Sequence, residues 1–181
     1  MMFARRVMLL AGLLTGFAVP AAAADSAYTT HDYENCRLVS DDAASQQRRC
    51  EGLHGIAVNY YNEDDDATID FGVDGSKDAW PYAQSFVFAG KTIEWRGETR
   101  NGKLVPYAAI VRYDLGRAIG GPFRPALMIF RLVGHTSSCL AAAVDGRRAD
   151  ANVRARRLAD TFVRDFRCGK DKRRMAASGS R

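Results

Sequence analysis

Four cysteines, Cys36, Cys50, Cys139 and Cys168, constrain this chain more than any other feature, provided it folds where disulfides form. The N-terminus predicts that it does. Arg5 and Arg6 precede an apolar run from Val7 to Val19, and small residues follow up to an Ala22-x-Ala24 site. That is the layout of a cleavable secretory signal, too short for a membrane anchor. No cysteine stands at the cleavage point, so lipid attachment there is not expected. The sequence therefore predicts a periplasmic or secreted protein with a mature chain starting at Asp25. In an oxidising compartment an even cysteine count favours disulfides. Three pairings are possible, and the shortest closed loops join Cys36 to Cys50 and Cys139 to Cys168. A loop of about 15 residues contributes roughly 3 kcal/mol in the chain-entropy account. Zinc would need close CxxC pairs, which the sequence lacks.

Removing 24 of the 181 residues leaves 157, enough for one domain with a hydrophobic core. Charge is uneven along that length. Residues 25–144 carry 12 Lys and Arg against 16 Asp and Glu, whereas residues 145–181 carry 12 against 5. Surfaces of both signs are thus available to partners. The expected organisation is a signal peptide over 1–24, one disulfide-crosslinked domain over 25–169, and a disordered basic tail, KDKRRMAASGSR, over 170–181.

Local pattern predicts a mainly β domain of the α+β class. Ile56, Val58 and Tyr60 alternate with Ala57, Asn59 and Tyr61, and the alternation resumes at Ile69, Phe71 and Val73, which reads as a hairpin. Further strands are expected at Ser85 to Phe88, Lys91 to Gly97, Val105 to Tyr113, Ala126 to Val133 and Ser138 to Val144. About seven short strands in this arrangement predict an antiparallel sheet, either a β-sandwich or a curved half-barrel. Residues 36–54 have little periodicity and read as a connecting loop with one helical turn. After Gly146 the period becomes helical. Leu158, Phe162 and Phe166 recur every four residues, which predicts a C-terminal helix burying an aromatic stripe on the sheet, capped by Asp150 or Asn152 and stopped by Gly169.

The polar cluster His135, Thr136, Ser137, Ser138 and Cys139 has the residue types of a nucleophilic site. Extended backbone separates His135 from Cys139 by about 13 Å, whereas a Cys-His pair needs about 3 Å. No Gly-x-Ser-x-Gly elbow surrounds Ser137 or Ser138. Cys139 at a strand start and Cys168 at a helix end suit a disulfide, which leaves Gly134 to Ser138 as an exposed contact loop. In NEDDDATID, Asn62, Asp64 and Asp66 match calcium-loop positions, but Ala67 and Val73 replace the required Gly and Glu. Alternation puts Ile93 and Trp95 on one strand face and Glu94 and Arg96 on the other. Trp80, beside a proline, and Arg117, Phe123 and Arg124 in a Gly-rich loop are further candidate contacts. No catalytic set, metal site or cofactor site is expected.

The signal peptide, the short Cys-to-Cys segment, the IEWR strand and the strand-Cys-helix-Cys ending together resemble small exported proteins of Gram-negative bacteria with no known activity. LMIFRLVGHTSSCLAAAV looks locally like the strand-loop-strand of periplasmic lysozyme inhibitors. That resemblance implies Ser137 and Ser138 as inhibitory contacts, although the inhibitors' tyrosine after Ser-Gly has no counterpart here. The resulting expectation is an exported, non-enzymatic binding domain of the bacterial envelope. Its partner would be an envelope protein or an anionic envelope polymer, not nucleic acid, and a cationic enzyme such as lysozyme is one specific version. The alternatives are an envelope hydrolase using carboxylates near Asp64–Asp70 and Glu94, and a structural envelope component.

Overall fold

β-branched and aromatic alternation builds a single sheet in the computed structural model, which describes residues 24–64, 66–76, 86–118 and 120–175. Its nine strands are β1 (Ala24–Thr30), β2 (Arg37–Asp41), β3 (Ser45–Glu51), β4 (Ala57–Glu63), β5 (Asp66–Phe71), β6 (Phe86–Arg100), β7 (Lys103–Gly116), β8 (Arg124–Val133) and β9 (Ser137–Asp145). One α-helix, α1 (Ala151–Thr161), follows. Strands β2 to β9 lie side by side in chain order. All neighbours are antiparallel except β5 and β6, which meet in parallel at the single pair Ala67 and Phe88. β6 is long enough to serve two partners on one edge: its first half meets β5 and its second half, from Thr92 to Glu98, pairs with β1. Asn101 and Gly102, with φ of 51° and 74°, turn β6 tightly into β7, as two-residue hairpins require.

The sheet curls on itself. Just past β5, the N–H groups of Val73 and Asp74 donate to the carbonyls of His135 and Thr136, at 3.1 and 2.8 Å, just before β9. β5 and β9 stand at opposite ends of a five-strand run, so these bonds require a curved half-barrel and not two packed sheets. Curvature divides the apolar residues into two cores. The inner one holds Ile56, Val58, Ile69, Phe71, Val87, Ile93, Trp95, Val111, Tyr113, Met128, Phe130 and Leu140. The outer one lies between α1 and the opposite face of β7, β8 and β9. Trp95 is fully buried, with Phe71 edge-on at 5.4 Å, and its indole N–H donates to Thr29 Oγ1 at 2.9 Å. Its polar atom is therefore satisfied and its burial contributes without penalty.

Both disulfides join the expected pairs, Cys36 to Cys50 and Cys139 to Cys168. The first closes an element that the sequence reading missed. Residues 36–54 are not a loop with a helical turn but mainly the hairpin of β2 and β3, where Arg37 pairs with Arg49 and Asp41 with Gln46. Ser85 lies outside the described residues, and the rest of the expected strands at Ser85 to Phe88 and Lys91 to Gly97 belongs to one strand, β6, while β1 is an addition. Together these changes turn about seven strands into nine.

The helix is shorter than its pattern predicts. It ends at Thr161, Phe162 leaves helical dihedrals, and a 3-10 turn at Val163–Asp165 carries the chain on. Its deepest stripe is Ala151, Ala155 and Ala159, which meets Ala108, Ala141 and Ala142 on the sheet. Leu158 and Phe162 are only half-buried, while Val163 and Phe166 are buried beyond the helix. Small residues on both surfaces let the backbones approach closely, which an aromatic stripe would prevent. Asp150 makes no side-chain cap bond and instead pairs with Arg148 and Arg154.

The first residues of the expected tail, 170–175, are among the described residues. Arg174 donates its N–H to the carbonyl of Ala141 and accepts from the N–H of Ala143, both in β9. The unpaired edge of β9 supplies the backbone groups that hold it. Residues 1–23, which carry all but the last residue of the expected signal peptide, Trp80 and residues 176–181 lie outside the described residues. No helix among the described residues is long and apolar enough to cross a membrane.

Candidate functional site

Two turns distant in sequence form one surface where the curled sheet closes: residues 72–76 after β5 and 134–138 before β9. Gly72 makes the contact possible. Its φ is +95°, and a Cβ there would fall 2.4 Å from the carbonyl carbon and oxygen of Thr136. Only glycine fits that backbone and that space. Beside it, the N–H of Phe71 donates to Ser138 Oγ at 3.0 Å, and the N–H of Ser138 reaches Gly75 O at 3.4 Å. The sequence-predicted loop is therefore fastened along its length.

Asp70 holds the other side of this clasp. The N–H of Ser76 donates to Asp70 Oδ2 at 2.7 Å, and Asn59 Nδ2 donates to Asp70 Oδ1 at 2.8 Å and to Gly72 O at 2.9 Å. Tyr61 adds a bond from its hydroxyl to Asp70, while Arg49 donates to Asn59 Oδ1 at 2.7 Å and to Val73 O. The register explains the row: Arg49 stands opposite Asn59, and Asn59 opposite Asp70, across β3, β4 and β5. Burial pushes the Asp70 carboxyl above its ordinary value, against the hydrogen bonds that favour its charge. Burial and the Asp70 charge push the Tyr61 hydroxyl up to about 12.

Of the predicted loop residues, His135 and Thr136 are exposed and Ser137 is half-buried. Ser138 is only 4 % exposed, and its hydroxyl braces the turn from inside. Val73, at 57 % exposed, and Val133, at 45 %, add apolar surface around the turns. The apolar alternation of the hairpin runs on to Val73, but β5 ends at Phe71 and the turn leaves Val73 exposed. The remaining candidates lie elsewhere. Arg117 is exposed, Arg124 is half-buried at the start of β8, and Phe123 packs edge-on against Phe88 at 5.5 Å. These three form no shared surface with the His135 turn.

Glu94 and Arg96 do point away from Trp95; each has its ion-pair partner on the helix, and both also bond Ser26 on the neighbouring strand β1. Glu94, 8 % exposed, accepts from Arg156 Nε at 2.7 Å and Ser26 Oγ at 2.5 Å. Arg96 forms a two-bond fork with Asp160, at 2.9 and 2.8 Å, and Tyr107 donates to Asp160 at 2.6 Å. Burial raises the Asp160 carboxyl, but the bonds from Arg96 and Tyr107 outweigh it and hold the group below its ordinary value. This network fastens α1 to β6 and β7. The carboxylates considered as acid and base are thus separately committed: Glu94 to α1 and β1, Asp70 to its own turn, and Asp66 to the N–H of Val87 at 2.8 Å. Among the described residues no three His, Cys, Asp or Glu side chains converge as a metal site would need.

Sequence reasoning missed Arg49, Asn59 and Gly72, and weighed Asp70 only as a possible acid or base. Asn59 and Asp70 stand on polar positions of an alternating hairpin, where a buried network and a solvated face look alike. His31 is buried against Tyr33, and burial lowers its ring below the usual histidine value.

Fold and site define a class: a mainly β domain of one curled sheet, crosslinked twice, with a helix on its outer face and a rigid pair of turns at its closure. The chain matches no protein-family model, and no curated protein or solved structure is significantly similar to it.

Proposed function

We propose that this is an exported binding domain that offers the paired turns at 72–76 and 134–138 to a macromolecular partner in the bacterial envelope. The observation that carries the reading is the clasp itself: His135, Thr136 and Val73 project from turns whose backbones are already bonded to each other. A surface ordered before binding loses little conformational entropy on association. Export is supported by the two disulfides, which use all four cysteines. A cationic envelope-directed enzyme such as lysozyme is the specific version, since the body of the chain is net acidic.

The test places a photo-crosslinking amino acid at His135 in exporting cells, with Lys103, exposed at the start of β7, as the control. The reading predicts a discrete heavier adduct from position 135 and none from 103. Adducts equal at both positions, or none at 135, contradict it. For the specific version, the purified protein at micromolar concentration is expected to slow lysozyme lysis of cell walls; unchanged lysis removes lysozyme as the partner and leaves the crosslinking result to stand alone.

A further inference from the structure

We propose that the outer side of α1 and the segment 170–174 form a cationic surface that docks on an anionic lipid bilayer. It uses none of the residues of the paired turns. The arginines of this region divide by what they face. Arg156 and Arg164 turn inward to Glu94 and Glu98 on β6. Arg147, Arg154 and Arg167 are balanced by Asp145, Asp150 and Asp171. Arg157, Lys170 and Lys172 remain exposed, with no ion pair among the described residues.

Two further features order these charges. The guanidinium of Arg174 lies over the Phe162 ring, 4.0 Å from its centroid, while its backbone is bonded to Ala141 and Ala143. The basic segment is therefore held between the end of α1 and β9, so its cations are fixed beside the helix. On α1 itself, Val153 is 65 % exposed one turn before Arg157, on the side opposite the buried alanines. One valine offers too little apolar area for insertion, so attraction must come from charge.

Exposed cations side by side on a helix and its neighbouring segment do not converge on one small anion. They suit a planar array of phosphates, where each nearby cation adds to the binding. The opposite sign collects at the other end of the sheet. Pairing of Ser45 with Glu63 sets the β2–β3 and β4–β5 turns together, with Asp41, Asp42, Glu63, Asp64 and Asp66 beside them. An anionic surface attracts α1 and repels that end, which orients the molecule.

The test is sedimentation with vesicles of phosphatidylcholine alone or with about 30 % phosphatidylglycerol, using protein exported from the full chain. Binding to the anionic vesicles only, at least about tenfold weaker at roughly 300 mM than at roughly 20 mM salt, is expected. Reversing Arg157, Lys170 and Lys172 to Glu should weaken it by on the order of a hundredfold, about fivefold per cation. If that variant fails to fold by its thermal transition, Arg157→Gln alone should weaken binding about fivefold, and Lys103→Glu should change nothing. Equal binding to neutral vesicles, no binding to either, or variants that bind as the parent does, overturn the proposal. Capture by soluble dextran sulfate but not by anionic vesicles overturns the lipid assignment as well.

Discussion

Asp160 shows how a single side chain ties the helix to the sheet. Its carboxylate takes a guanidinium fork from Arg96 and the Tyr107 hydroxyl, in a half-buried setting where hydrogen bonds to charge are strong. Because its folded value lies below the ordinary 3.8, its stabilisation is present above that pH and is lost as pH falls through the depressed value. Asp160→Asn should therefore lower stability by about 2 kcal/mol at pH 7. The gap between variant and parent should shrink as pH falls below 3.8 and close only below the depressed folded value, where the parent's carboxyl is neutral too. Thermal melts of both proteins across pH 3 to 8 check this, and a gap independent of pH contradicts it. Nothing near Asp160 in sequence reveals the role, since Arg96 and Tyr107 lie on strands far away along the chain. The outward position of Arg96, by contrast, was legible from simple alternation with Trp95.

At the scale of elements, sequence pattern located what packs strongly and missed what packs on one face or none. β7, β8 and β9 carry long apolar runs buried on both sides, between the inner core and the helix, and were found in place. β2 is exposed along its whole length, and β3 reads SQQRRCE, so no apolar alternation marked that hairpin. The helix was expected from a recurring Leu-Phe-Phe spacing, yet its packing stripe is alanine. Hydrophobicity ranks the aromatics first, whereas close approach of helix to sheet selects the smallest side chain. Ala155, fully buried at the centre of that contact, tests the point. Ala155→Leu should destabilise by about 1–3 kcal/mol through overpacking, while Val153→Leu on the outward side should change stability by less than about 0.5 kcal/mol. Chemical denaturation separates the two; equal effects would place the helix differently on the sheet.

On the scale of the whole molecule, closure of the sheet is what makes a surface from two unrelated turns. The GHTSS turn was legible as an exposed polar loop, because a strand break with Gly and Ser is a local signal. Its partner at 72–76 was not, because pairing between remote segments leaves no periodic trace in either one. Gly72 carries the one local mark, a glycine at a strand end, and many glycines look the same before the fold is known. The disulfide pairing was readable from the shortest closed loops, whereas the backbone pairing of Arg174 to β9 was not, because polar composition hides it. Amide hydrogen exchange at Val73, Asp74 and Ser138 tests the closure most directly, compared between the parent protein and Gly72→Ala. The N–H groups of all three are bonded across the clasp, so in the parent they should exchange as slowly as those within β8. In the variant they should lose protection selectively, with a cost of about 2–4 kcal/mol from left-handed backbone and overpacking together. Fast exchange at these amides in the parent, at the rate of an open loop, would contradict a pre-ordered turn pair and with it the binding surface.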